Sequence, residues 1–161
     1  MIKKLVLILG LCLQAFPAVA AETGTDLRAD AVLVDKSERR LFLLRGGKIL
    51  KAYPIGLGFT PDGHKQQEGD GRTPEGTYVL DWRNPKSRFY LSIHISYPNA
   101  ADRARAAARG VSPGGEIFIH GRHSLAGGGS DWTFGCIAVT DKAMDEIWQT
   151  VPNGTPITIR P

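Results

Sequence analysis

The chain has 161 residues, two cysteines, and 20 Lys and Arg against 16 Asp and Glu, a net charge of +4. So small an excess leaves no basic footprint for nucleic acid and makes no strong case for a charged membrane surface. The length suits one ordinary domain with a real core, and the sequence shows no internal repeat, no low-complexity tract and no second domain.

The N-terminus reads as a targeting segment. Met1-Ile2-Lys3-Lys4 is a cationic start, Leu5 to Phe16 is mostly apolar, and Ala18-Val19-Ala20 is a small-x-small cleavage pattern. The expected division is a signal peptide over 1–20 and one domain over 21–161, in an exported protein. The apolar run falls short of the ~20 residues that cross a bilayer, so no membrane span is expected in the mature form. Cys12 follows Leu11 inside that run, which argues against a lipid anchor; an uncleaved anchor stands as the alternative. Cleavage removes Lys3 and Lys4, leaving 18 basic against 16 acidic residues and a net charge of +2. It also removes Cys12. Cys136 is then a single thiol in an oxidising compartment, where cysteines usually pair. A buried, inert cysteine is the plain explanation; its neighbours point elsewhere.

Ala31 to Asp35 is rich in valine and predicts a strand. Lys36-Ser37-Glu38 is a turn, Arg40 to Leu44 a second strand, and Gly46-Gly47 a hairpin turn. Lys48 to Ile55 alternates, with Ile49, Tyr53 and Ile55 on the apolar side. These three strands make a meander. Gly56 to Arg72 is a long loop, of the kind that is functional or mobile; its His64 reads as solvated. Thr73-Pro74-Glu75-Gly76 is a turn in which proline presets φ and glycine accepts positive φ. Tyr78 to Trp82 follows as a strand. Phe89 to Tyr97 has the clearest two-residue period in the chain, with His94 on the polar face in a structural or solvated role. Asn99 to Arg109 is a helix capped by Asn99 and ended by Gly110, its arginines solvated. Glu116 to His120 and Cys136 to Val139 are strands. Thr140-Asp141 opens a helix through Gln149, with Ala143, Met144, Ile147, Trp148 and Val151 at core spacing, and Thr155 to Ile159 is a last strand.

The candidate chemistry sits where Ile117-Phe118-Ile119-His120-Gly121 gives way to a spacer with Gly127, Gly128 and Gly129, then to Thr133-Phe134-Gly135-Cys136-Ile137-Ala138-Val139. The spacer is long enough to turn back and lay the two strands side by side. An imidazole at one strand's end can then meet a thiol at the next strand's start. Three readings are open. His120, His123 and Cys136 could ligate a metal, though no carboxylate or second cysteine stands at a familiar spacing. The pairing could be coincidence. Or Cys136 is a nucleophile with His120 as its acid and base. In that case backbone N–H groups around the Gly135-Cys136 turn hold the oxyanion, and Gly135 lets a substrate carbonyl approach the backbone.

The same residues resemble the L,D-transpeptidase catalytic domain, or YkuD, family. The resemblance rests on Ile119-His120-Gly121, on Gly135-Cys136-Ile137, on Thr73-Pro74-Glu75-Gly76-Thr77-Tyr78, and on Tyr97-Pro98-Asn99 with Asp102. It covers about residues 30 to 160. It implies a mainly β fold of packed mixed sheets with short helices, and no cofactor or metal. It further implies attack by Cys136 on the diamino-acid carbonyl of a peptidoglycan stem peptide, loss of D-alanine, and a thioester. An amine from another stem, a protein lysine or a D-amino acid then takes the acyl group, or water does. His120 is the implied acid/base, oriented by the carbonyl of Gly121. Many members read Ser-His-Gly-Cys-x-Arg where this chain has Phe134 and Ala138 in place of the second histidine and the arginine. Arg72, Arg88 and Arg122 are therefore candidates to hold a substrate carboxylate, and Thr133 and Gly135 to contact substrate. Asp131-Trp132-Thr133 resembles a divergent branch that includes hydrolases of cross-links or protein attachments, with the periplasm as the expected location. Hydrolysis at the diamino acid and an inactive peptidoglycan-binding module are the alternatives.

Overall fold

A computed structural model of the chain describes residues 28–122 and 131–161. The expected signal segment, His123 and Gly127 to Gly129 lie outside the described residues.

The meander forms where the apolar runs predict it, as β1 (Ala31–Asp35), β2 (Arg40–Arg45) and β3 (Lys48–Pro54), paired antiparallel. Gly46 and Gly47 both take positive φ at the hairpin, as a tight two-residue turn requires. A register shift at Leu43/Leu44 reverses the expected alternation early in β3. Ile49 is 62% exposed, and Leu50 packs against the core in its place.

The remaining strands are β4 (Gly76–Ser87), β5 (Tyr90–Ile95), β6 (Phe118–His120), β7 (Ile137–Ala138) and β8 (Thr155–Arg160). The last inserts between β1, to which it is parallel, and β4, to which it is antiparallel. The order is β3-β2-β1-β8-β4-β5-β6-β7. The expected mixed sheets therefore take the form of one mixed sheet that curls on itself. Gly56, just past the edge strand β3, exchanges two backbone hydrogen bonds of 2.8 Å with Ala138 in the opposite edge strand β7. That contact satisfies groups that an open edge would leave to solvent.

Val34, Leu41, Leu43, Leu80, Ile95 and Ile119 fill the core, wholly buried. The helix α2 (Asp141–Thr150) lays Met144 and Ile147 against them, also wholly buried. Each such side chain contributes about 1.5–3 kcal/mol. Thr140 caps the start of α2, its Oγ1 accepting from the Ala143 N–H at 3.2 Å. At the other end Arg83 lies 4.8 Å over the Trp148 ring and donates to the Trp148 carbonyl at 2.6 Å. A guanidinium at a helix C-terminus also meets the negative end of the dipole.

The helix α1 (Ala100–Ala108) starts with a capping box. Asn99 Oδ1 accepts from the Asp102 N–H at 3.0 Å, and Asp102 Oδ2 accepts from the Asn99 N–H at 2.9 Å. Asp102 is buried and also accepts from the Tyr78 hydroxyl at 3.0 Å. The long loop is tied to this point. His64 Nδ1 accepts from the Glu75 N–H at 2.9 Å, which leaves the ring proton on Nε2, 3.1 Å from Asp102 Oδ1. His64 is thus an internal strut and not a solvated loop residue, and Arg105, expected in solvent, pairs with Asp102 as well. Removing one partner of a buried ionic cluster costs about 3–5 kcal/mol. Asp102→Ala is expected to lower the free energy of urea unfolding by that amount; a loss below about 1 kcal/mol would show that the cluster is not holding the loop to α1.

Candidate functional site

The strands β6 and β7 lie side by side as the spacing predicts, but they run parallel. Ile119 is level with Ile137 and His120 with Ala138, so Cys136 stands level with Phe118. Residues two apart on paired strands share a face, and at ~3.3 Å per residue that offset brings His120 and Cys136 into one neighbourhood. Both line a cavity of about 400 Å³.

The His120 ring is buried and held on several sides. Its Nδ1 lies 2.7 Å from the Gly121 carbonyl oxygen. A carbonyl can only accept, so Nδ1 carries the proton and Nε2 of the neutral ring is the acceptor. The Phe89 ring lies 4.7 Å away at 30°, and Trp132 presents itself at 5.7 Å and 68°. Gly121 has no room for a side chain: a Cβ there would stand 2.6 Å from Asp141 Oδ1 and 2.9 Å from Tyr90 Cβ.

Cys136 is half-buried. Its Sγ is 3.6 Å from the Glu116 carbonyl oxygen, to which the thiol donates, and the Phe118 N–H faces the sulfur. Burial pushes the thiol pKa up and the Glu116 charge adds to this, against the Phe118 amide and the Lys65 ammonium, which favour the thiolate. Burial thus favours the neutral thiol over the thiolate.

The turn before Cys136 is built from its own chain. Thr133 is buried, and its hydroxyl donates to the Cys136 carbonyl at 2.7 Å and accepts from the Gly135 N–H at 3.1 Å. Thr133 thus clamps the turn from inside, and the Gly135 amide, expected to face an oxyanion, is committed to it. Gly135 has φ 126°, and a Cβ there would lie 2.6 Å from the Arg72 carbonyl. The close backbone approach that this glycine permits is therefore made by Arg72 of the same chain. One step earlier, Asp131 takes the Arg39 guanidinium on both oxygens, with Nε at 3.0 and 3.2 Å and one terminal nitrogen at 2.8 Å, and the Leu57 N–H at 3.0 Å. Trp132 is held between these two anchors.

Of the three expected substrate cations, two fall elsewhere. Arg72 is half-buried behind the turn, and Arg122 is exposed, its N–H donating to Asp141 Oδ1 at 2.7 Å. Neither lines the cavity. Arg88 does, together with Lys86, both from the tip of the β4–β5 hairpin. Sequence reasoning passed over Lys86, Phe89, Trp132 and Glu116; the signal available was the two cations between paired strands. Phe134 is 75% exposed, edge-on to Phe59 at 5.3 Å, and Ala138 is wholly buried. His94 pairs with Asp81 at 2.7 Å and stacks on Trp82 at 5.2 Å. Among the described residues no three His, Cys, Asp or Glu side chains converge on a metal position.

The Arg39 pair lies outside the cavity, yet it fixes the segment that carries Trp132. Charge-assisted hydrogen bonds of this kind are worth about 1.5–3 kcal/mol. Arg39→Ala is expected to lower unfolding stability by that much while leaving the far-UV circular dichroism unchanged; unaltered stability would mean the pair is solvated and idle.

The L,D-transpeptidase catalytic domain model, YkuD, matches residues 29–159. A curated relative, "Putative L,D-transpeptidase YafK" of Escherichia coli K12, is 39% identical over 112 residues, which are 68% of this chain and 37% of that protein. The crystal structure of the helical cell shape determining protein Pgp2 from Campylobacter jejuni superposes with a TM-score of 0.62 at 30% identity, over 81% of this chain and 46% of Pgp2. Bd1075 of Bdellovibrio bacteriovorus gives 0.58 at 28% identity, over 84% of this chain and 49% of its own. The chain thus spans less than half the length of each of these relatives. The match runs from before β1 into β8 and takes in both cavity-facing residues, and on that footing the chain belongs to the L,D-transpeptidase catalytic domain family.

Proposed function

We propose that the protein is an exported cysteine acyltransferase acting on peptidoglycan stem peptides, in cell-wall biogenesis or remodelling. The observation that carries this reading is the hydrogen bond from His120 Nδ1 to the Gly121 carbonyl. It makes Nε2 the accepting nitrogen of the neutral ring, and the shared cavity of His120 and Cys136 supports a proton transfer between them. The signal-like segment at 1–20 supports export, with the periplasm as destination. Pgp2, named as a cell shape determinant, supports a role at the wall.

The steps follow from the groups present. His120 Nε2 takes the Cys136 proton as Sγ attacks the diamino-acid carbonyl. The tetrahedral intermediate collapses, its C–N bond breaks, and the leaving D-alanine amine takes the proton back from His120. The acyl group remains as a thioester. An incoming amine, from another stem, a protein lysine or a D-amino acid, gives its proton to His120 and displaces the sulfur, which takes that proton and is restored as the thiol. If water arrives instead, the same steps hydrolyse. No residue of the scheme calls for a metal.

Incubation with purified sacculi decides between these outcomes: new cross-links or amine adducts mean transfer, whereas loss of cross-links or attachments alone means hydrolysis and overturns the transferase reading. Cys136→Ala is expected to abolish either activity and His120→Ala to lower it about 10²- to 10⁴-fold; substantial turnover by Cys136→Ala would remove the nucleophile assignment.

The raised thiol pKa gives a separate check. An ordinary cysteine titrates near ~8.5. Burial penalises the thiolate, so alkylation of Cys136 by iodoacetamide is expected to rise with pH through a midpoint above that value. A midpoint well below it would mean a resting thiolate–imidazolium pair in place of a thiol awaiting its base.

A further inference from the structure

The cavity has an electrical polarity along its strands that the reaction scheme does not use. Pairing registers give the order. Ser92 is level with both His120 and Asn84, and Tyr90 is level with Ser87, so the β4–β5 hairpin tip lies beyond His120. In the other direction Ile95 donates to the Ile117 carbonyl, so Glu116 lies past the level of Cys136. At ~3.3 Å per residue the two ends stand on the order of 20 Å apart. Lys86 and Arg88 border the cavity at the tip, and Glu116 borders it at the far end.

Several cations elsewhere in the molecule are already engaged. Lys36, Arg39, Lys51, Lys65, Arg105 and Arg160 each pair with a carboxylate. Among the described residues no such pair involves Lys86 or Arg88. Arg88 instead sits 6.0 Å over the ring of Phe89, the same ring that packs on His120. That contact sets an exposed positive charge near the ring that packs on His120. Meanwhile the wholly buried Ala138 brings no charge to β7.

We propose that Lys86 and Arg88 form a carboxylate subsite. A peptide substrate then lies along the strands with its anionic segment over the β4–β5 hairpin. Glu116 enforces the direction, because a carboxylate placed at its end meets a like charge. The inference rests on the reading of the cavity as a peptide-acyl site, and it names the feature of the peptide that is read: free carboxylate on the His120 side of the scissile carbonyl.

The test is calorimetric binding, which needs no turnover. Cys136→Ala protein is titrated with a stem tetrapeptide bearing free carboxylates and with its fully amidated counterpart, with and without Lys86→Ala/Arg88→Ala. Loss of the cations is expected to weaken the free-carboxylate peptide about tenfold and leave the amidated one unchanged, with the difference shrinking as salt rises. Equal weakening of both peptides, no weakening of either, or no binding of the free peptide at millimolar concentration overturns the subsite. Failure of the reaction reading is seen separately, as wild-type protein that forms no thioester while the binding contrast persists.

Discussion

Two short parallel strands set the geometry on which everything else depends. Strand β6 has three residues and β7 has two, and neither could stand alone. The sheet's curl supplies the rest. By turning until Gly56 meets Ala138, it clamps β7 between β6 and the chain beyond β3. With β7 fixed in register, Cys136 cannot slip by one residue, a slip that would carry its side chain to the other face of the sheet. The thiol and the imidazole therefore share a cavity because of backbone pairing made elsewhere in the sheet.

Around that register the chain spends many of its polar contacts on the single segment 131–135. Asp131 is tied to Arg39 and to the Leu57 amide, Thr133 holds both the Gly135 amide and the Cys136 carbonyl, and Gly135 yields to the Arg72 carbonyl. Each of these groups is engaged within the chain. They leave Trp132 projecting between two anchors, where its ring meets His120. Phe89 reaches the same imidazole from the hairpin. The imidazole is thus packed by aromatic rings, and the Gly121 carbonyl sets its tautomer.

Much of this was legible in the sequence, for physical reasons that can be named. The valine- and leucine-rich runs gave β1 and β2, the Asn99 and Thr140 caps gave α1 and α2, and the His-Gly and Gly-Cys pairs located the cavity. What could not be read was anything set by register or by long-range pairing. Ile49 turned outward because of a bulge beside it in β3, and local alternation carries no trace of a bulge. His64 became a strut because Asp102, far along the chain, needed a donor. Thr133 and Gly135 were read as substrate contacts because their position beside Cys136 was visible, while the partner atoms that occupy them were not. Of the three arginines named from the sequence, Arg88 borders the cavity and Arg72 and Arg122 do not; Lys86, which also borders it, is revealed only by the β4–β5 pairing.

The central claim is that Cys136 receives a peptide acyl group with His120 as proton acceptor. Mass spectrometry of the intact mature protein after incubation with a stem tetrapeptide tests it most directly. The account predicts an adduct equal to the tetrapeptide less one D-alanine, mapped to Cys136 and lost on mild treatment with hydroxylamine. An adduct on any other residue, or none anywhere between about pH 6 and 9, would contradict it.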